Sequence, residues 1–442
     1  MTETPSSQSI STKLQRIAQL ARGMPGVALN NLSHHIDHAW LKEAWRCVRK
    51  DAAPGVDGTT AKQYERKLDE NLQNLLDRAK SLRYQAPPVR RVHILKGDGK
   101  TKRPLGIPTL EDKILQRAAT MALEAVYEQD FYPCSYGFRP NRSAHQALEA
   151  LRDEIMVMGG GWVIDVDIQR FFDTLDHGHL ERILGQRVRD GVLLRWIGKW
   201  LNAGVMEHGE LTYPELGTPQ GGVISPLLAN VYLHEVLDVW AERMVKPVLR
   251  GRVALIRYAD DFVLAFSEES DARRVYEVLP KRLAKYGLTI HPEKTRLLDF
   301  RRPAHAAARS TSASFDFLGF THFWARSRRG AWVVKRSTSK DRLTRSLKRI
   351  RQWCRAHRHD SIREQHQQLC AKVRGHSSYY GVTFNARRLQ EYYRQVRRAW
   401  RYWLNRRSQN AKMTWARFAA LERLWPLPAV RIVHSYIQPA AT

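Results

Sequence analysis

Two short apolar runs, VALIRY at 253–258 and FVLAF at 262–266, are separated by little more than a pair of adjacent aspartates, Asp260 and Asp261, in the string YADD. Nothing else in the chain constrains the fold as much. Runs of apolar and aromatic residues joined this tightly pair as an antiparallel hairpin and present both acids at its turn. Adjacent carboxylates at a turn repel each other, so the arrangement makes sense where a divalent cation neutralises them, since Mg²⁺ takes hard oxygen ligands and is held by carboxylates together with substrate phosphates. A solvated surface turn is the plain alternative.

A third acid favours the metal. In VIDVDIQRFFD, at 163–173, Ile164, Val166 and Ile168 point to one face of a strand while Asp165 and Asp167 point to the other. If this strand lies antiparallel beside the hairpin, Asp167 joins Asp260 and Asp261 in a three-carboxylate cluster suited to two metal ions about 3.5–4 Å apart.

Charge names the class of partner. The 442 residues carry 73 Lys and Arg against 44 Asp and Glu, a formal net charge of +29, which points to a polyanion rather than a small-molecule substrate. Residues 331–442 hold 25 of the bases and 5 of the acids, interleaved with Trp353, Trp400, Trp403, Tyr379, Tyr380, Tyr392 and Tyr393. Basic and aromatic side chains mixed in this way suit nucleic acid better than a membrane surface. Cys47, Cys134, Cys354 and Cys370 are scattered without a zinc spacing, which argues for a reducing compartment and against disulfides or a structural metal. The first residues, MTETPSSQSI, have no apolar core, and no stretch approaches a membrane span. The expectation is a soluble, cytoplasmic protein with no membrane partner.

Helical spacing through Ile17, Leu20 and Ala21, and again through Leu68, Leu72, Leu75 and Leu76, makes residues 1–85 mainly helical, with a turn-rich loop, APGVDG, at 53–58. VRRVHIL at 89–95 alternates as a strand, and the basic KGDGKTKRP that follows reads as a hairpin tip placed to touch phosphates. Thr109 stands at a capping-box spacing from Asp112, ahead of an apolar helix through Ile114, Leu115, Ala118, Met121, Ala122 and Val126, and a second helix is expected from near Ser143. One helix is expected between the strands at 163–168 and 253–258, and another over 271–286. FDFLGF at 315–320 and a strand near Trp332 and Val334 precede a helical, basic stretch to about Asn405. This order predicts an α+β domain with a boundary near 325–340.

The ordered set KRPLGIP (102–108), SYGFRPNRSAHQAL (135–148), DIQRFFD (167–173), TPQGGVISPLLANVYL (218–233), YADD, LTIHPEKT (288–295) and FDFLGF resembles the reverse transcriptases encoded by bacterial group II introns, over residues 40–440 or so. The resemblance implies a right-hand polymerase with fingers, a palm built on an antiparallel sheet and an α-helical thumb. Residues 1–85 would be an N-terminal extension and the start of the fingers, 86–330 the fingers and palm, 331–405 the maturase or thumb domain, and 406–442 a short tail placed for DNA contact. The implied activity is RNA-directed DNA synthesis tied to intron splicing and mobility. The implied partners are group II intron RNA, an RNA template with a DNA primer, target DNA and deoxynucleoside triphosphates.

Residue by residue, the family's metal acids fall on Asp167, Asp260 and Asp261, which would bind two Mg²⁺ ions, with Mn²⁺ as the substitute. Asp167 is the choice because it precedes the aromatic pair Phe171 and Phe172 by four and five residues; Asp165 is the alternative, in a supporting role. Phe172 matches the steric gate that excludes a ribose 2′ hydroxyl, with a core aromatic as the plain reading. Gln220 matches the incoming-nucleotide pocket, Lys96 and Arg103 the triphosphate clamp (Lys100 or Lys102 being alternatives), and Lys294 a proton donor near the leaving pyrophosphate. Arg139 and Arg142, just ahead of a helix, are placed to face a phosphate backbone. Arg349, Arg397, Arg398 and Arg401 lie in the basic helices that would grip a duplex.

Many members of that family carry an endonuclease with His and Cys metal ligands. No such cluster follows Asn405, so mobility is expected to use primers made by other machinery. Three rival readings stay open: an RNA-binding maturase that no longer polymerises, an RNA-dependent RNA polymerase, which YADD and Phe172 disfavour, and a host-adapted reverse transcriptase in defence or repair.

Overall fold

The computed structural model describes residues 5–95, 101–207, 209–213, 216–217, 221–303, 313–410 and 412–435. The chain divides into two compact units, one made of residues 1–154 and 162–297, the other of 155–161 and 298–442.

The first unit opens with helices α1 (Pro5–Gly23), α2 (His38–Cys47), α3 (Ala61–Glu65) and α4 (Leu68–Lys80), as the apolar spacing predicts. Polar caps set their starts: Asp37 accepts from the Trp40 amide, and Thr60 and Gln63 close a reciprocal capping box. Strands β1 (Val89–Leu95) and β2 (Lys102–Ile107) pair antiparallel, Leu95 opposite Lys102. Lys96 and Lys100, between them in sequence, lie outside the described residues.

Helix α5 (Leu110–Tyr127) is buried around most of its circumference and packs against α1 and α2. A helix buried on most sides belongs in the middle of a core, and its buried polar residues need partners there. The Thr109 hydroxyl accepts from the Asp112 amide at 3.3 Å, but the Asp112 carboxylate turns inward to the Tyr84 hydroxyl. Next comes α6 (Ala144–Met158), entered through Ser143 and Gln146, whose side chains accept from each other's amides.

Between β3 (Trp162–Asp167) and the YADD hairpin the single expected helix is replaced by α7 (Phe171–Thr174), α8 (His177–Arg187), α9 (Gly191–Leu201), the short strands β4 (Val205–Glu207) and β5 (Glu210–Thr212), and α10 (Ser225–Leu233). Asp176 and Asp190 cap α8 and α9 and so cut the segment into pieces. Strand β4 exists because it pairs parallel with the distant β1, giving a four-stranded sheet in the order β2-β1-β4-β5. The hairpin itself is β6 (Val253–Tyr258) and β7 (Asp261–Phe266), followed by α11 (Glu269–Ala284) and β8 (Arg296–Asp299). These strands form a second sheet in the order β6-β7-β3-β8, so the acid-bearing strand lies directly beside the hairpin.

The second unit holds a three-stranded antiparallel sheet of β9 (Phe315–Phe317), β10 (Phe320–Arg326) and β11 (Trp332–Thr338). Helices α12 (Lys340–Ala356), α13 (Ile362–Tyr380), α14 (Ala386–Leu404) and α15 (Trp415–Leu424) follow. Leu343, Ile350, Leu369, Val373, Val396 and Trp400 form their core. Tyr392 and Trp400 are buried, and Trp353, Tyr393 and Trp403, half-buried, pack against the same core. Among the described residues, no helix is long and apolar enough to cross a membrane.

Candidate active site

In the register of β3 against β7, Asp167 lies opposite Asp261 and Asp165 opposite Val263. Cross-strand partners in an antiparallel pair share one face of the sheet with Cβ atoms about 5 Å apart. Asp260 precedes Asp261 in the tight turn of the hairpin, after Ala259, which has a left-handed φ of 58°. Strand pairing thus gathers acids from two separate segments at one end of the sheet.

The electrostatics follow from that gathering. Burial pushes the pKa of Asp260 above the ordinary carboxylate value, and the charge of Asp167 pushes it further, while Arg103 and Arg257 pull it down. Arg103, on β2, is exposed and acts on Asp260 through its charge. Lys294 donates to Asp167 Oδ2 at 3.0 Å. Lys294 is brought there by the segment carrying it, which runs along the end of β3: the His291 amide donates to the Asp167 carbonyl at 2.7 Å and Gln169 to Thr289 at 2.8 Å. Asp165 is engaged elsewhere, by Arg296 at 3.0 Å.

Hard carboxylate oxygens, mutually repelling and partly buried, are a donor set that a divalent cation fits. As the side chains stand, no three His, Cys, Asp or Glu among the described residues close into a metal-holding group. The Asp167 carboxylate takes its positive charge from the Lys294 ammonium.

The neighbouring backbone is fitted closely to the acids. A Cβ on Gly137 would stand 2.3 Å from the Ala259 amide nitrogen, so the SYGF segment lies directly on the turn. The Tyr136 amide also donates to the Arg257 carbonyl at 2.9 Å, and the Arg257 amide to that of Cys134 at 2.8 Å. Phe172, half-buried, meets Phe171 edge-to-face with centroids 5.3 Å apart. Gly217, at φ 87°, rests on the backbone of α7, where its Cβ would come 2.6 Å from the Phe172 carbonyl oxygen. Gly221, at φ 121°, meets the Gly106 carbonyl of β2 in the same manner, at 2.5 Å. Only glycine tolerates such an approach in that conformation. Gln220, between them, lies outside the described residues, as does Lys96.

The remaining cations divide into two kinds. Arg139 is turned into the protein: its guanidinium makes paired bonds to Glu128, at 3.0 and 2.9 Å, and donates to the carbonyls of Tyr132 and Ser135, so it is not aimed at a phosphate backbone. Arg397 is held by Glu422 at 2.6 Å, and Arg401 donates to the Met413 carbonyl while lying over the Trp415 ring. Arg142, Arg349 and Arg398 are exposed.

Arg257, Asp238 and Asn230 were not among the residues singled out from the sequence, yet they meet directly behind the turn. The available signal was a cation inside the apolar run VALIRY and an amide inside the apolar helix SPLLANVYL, since such residues are buried only with partners.

Residues 94–322 match the sequence model of the family described as reverse transcriptase (RNA-dependent DNA polymerase). The chain is 37% identical over 287 residues to Protein YkfC of Escherichia coli K12, an alignment covering 58% of this chain and 75% of that protein. It is 41% identical over 168 residues to the group II intron-encoded protein LtrA of Lactococcus lactis, covering 38% of this chain and 28% of LtrA. The mitochondrial protein Nuclear intron maturase 2 of Arabidopsis thaliana is 27% identical over 234 residues, covering 43% of this chain and 30% of that protein.

Proposed function

The chain belongs to the reverse transcriptases of the group II intron type, and from that premise we propose that it copies RNA into DNA and binds intron RNA to assist splicing and mobility. The reading is supported above all by one observation: Asp167 and Asp261 are cross-strand partners, with Asp260 in the adjoining turn.

Reverse transcriptases generally use divalent metal ions. Asp167, Asp260 and Asp261 would hold Mg²⁺, or Mn²⁺ in its place, and such ions activate a primer 3′ hydroxyl and offset charge on the triphosphate. Lys294, which donates to Asp167, would deliver a proton toward the leaving pyrophosphate. Arg103, with Lys96 and Gln220, would bind the incoming nucleotide, since a guanidinium takes phosphate oxygens two at a time. The Phe172 ring would fill the space of a ribose 2′ hydroxyl.

In this reading β1 and β2 are fingers, the sheet β6-β7-β3-β8 is the palm, residues 331–405 form the thumb, and 406–442 a tail in contact with DNA. Residues 1–85, the N-terminal extension, would grip template and intron RNA. Arg142, Arg349 and Arg398, all exposed, would contact nucleic acid. Purified protein given a DNA primer on an RNA template, deoxynucleoside triphosphates and Mg²⁺ is expected to make full-length complementary DNA. Tight RNA binding without extension would favour an RNA-binding maturase instead, and preferential use of ribonucleotides an RNA polymerase.

A further inference from the structure

Behind the acid turn stands an arginine with no access to solvent. Arg257 is 0% exposed, and a guanidinium so placed has to find partners for its donors. Nε and Nη2 donate to the two carboxylate oxygens of Asp238 at 2.8 and 2.6 Å. Nη1 donates to Asn230 Oδ1 at 2.9 Å and to the Ala259 carbonyl at 3.2 Å. Asp238 is equally buried; burial would raise its pKa, and Arg257 outweighs burial and holds it below the ordinary value.

Asn230 and Asp238 reach the same guanidinium through an irregular backbone. In an α-helix eight residues leave two side chains about 80° apart around the axis. Beyond α10, however, residues His234–Val239 run as wider π turns, which undo that angle and bring Asp238 round to Arg257.

Ala259 is a non-glycine residue at a φ of 58°, a conformation held only where surroundings impose it. Its carbonyl accepts from Arg257, its amide side is closely covered by Gly137, whose Cβ would stand 2.3 Å from the Ala259 nitrogen, and Asn230 links the two by donating from Nδ2 to the Gly137 carbonyl at 2.7 Å.

A buried ion pair is a poor device for stability, because well-packed apolar residues of similar volume often serve a core as well or better. We propose that Arg257, held by Asp238 and Asn230, is a positioning residue that fixes the Ala259–Asp260 peptide and thereby aims the Asp260 carboxylate for nucleotidyl transfer. This rests on the polymerase reading above.

The decisive comparison is wild type against Arg257→Met/Asp238→Leu, which exchanges the ion pair for apolar side chains. Thermal unfolding is expected to stay near wild type. The rate constant kcat for primer extension is expected to fall about tenfold to a hundredfold, as for other small misplacements of reacting groups. KM for nucleotide should change little, and Mn²⁺ binding to the protein without primer or nucleotide, read by electron paramagnetic resonance, should weaken. A folded double variant with wild-type kcat and Mn²⁺ binding overturns the proposal.

If the double variant does not fold, Arg257→Lys is read by the same measurements. A lysine keeps the charge beside Asp238 but lacks the planar fork needed to reach Ala259 as well, so unchanged kcat and Mn²⁺ binding there overturn the proposal too. A wild-type protein that binds Mn²⁺ but extends no primer refutes the polymerase reading and leaves Mn²⁺ binding to judge the brace. One that does neither refutes both.

Discussion

Replacing Gly137 by alanine sets the close fit around the acid turn against its function. The new Cβ would stand 2.3 Å from the Ala259 nitrogen and 2.9 Å from the Tyr258 carbonyl carbon, whereas ordinary contact begins near 3.4 Å. Relief therefore needs a displacement of about 1.1 Å, the difference between 3.4 and 2.3 Å. Both contacts are backbone, so no side chain can swing away. The SYGF segment and the turn are each tied by hydrogen bonds, Gly137 to Asn230 and Ala259 to Arg257. The strain is then shared between them, and Asp260 moves with the turn. Overpacking of this kind costs about 1–3 kcal/mol of stability, and a misplacement of about 1 Å at a reacting group can cost about a hundredfold in rate. Urea unfolding and single-nucleotide addition on an RNA template would read the two effects. Gly137→Ala protein with wild-type stability and wild-type kcat would refute the claim that this glycine sets the turn.

Five further variants have expected outcomes. Asp260→Ala should abolish complementary DNA synthesis in a primer-extension gel while leaving RNA affinity in a filter-binding assay close to wild type, because a metal ligand is lost and the basic surface is kept. Phe172→Ala should admit ribonucleotides, lowering the preference for deoxynucleotides about tenfold or more in competition assays. Burial lifts the Asp112 carboxyl to about 7 from its ordinary 3.8. Between those values the folded chain holds more protons than the unfolded one, so stability should fall as pH rises from about 4 to 7, by an amount on the order of 4 kcal/mol, and level off above. Asp112→Asn should flatten much of that slope in urea unfolding at pH 5 and pH 8. Arg139→Ala should cost about 3 kcal/mol by stranding Glu128, with RNA affinity unchanged at a temperature where the variant is folded. Arg142→Ala should do the reverse, lowering affinity and leaving unfolding within about 0.5 kcal/mol of wild type.

Much of this protein is written locally. The YADD hairpin, the strand of alternating acids, the helices begun by Thr109 and Ser143, and the basic C-terminal quarter all depend on neighbours within a few residues or on summed charge, and a linear reading captures them. The ordered blocks from KRPLGIP to FDFLGF carried the family as well. What the sequence left undetermined is where side chains turn once distant segments meet. Arg139 and Arg142 read alike in FRPNRS, but only the folded chain puts Glu128 beside the first and solvent around the second. Trp400 and Tyr392 stand among arginines in a stretch that reads as suited to nucleic acid, and the packing of α14 took them into the core. Strand β4 has no strong pattern of its own and forms through pairing with β1. Arg257 and Asp238 are nineteen positions apart with π turns between them. Burying a charge is tolerable only where a partner arrives, and which partner arrives is decided by tertiary structure.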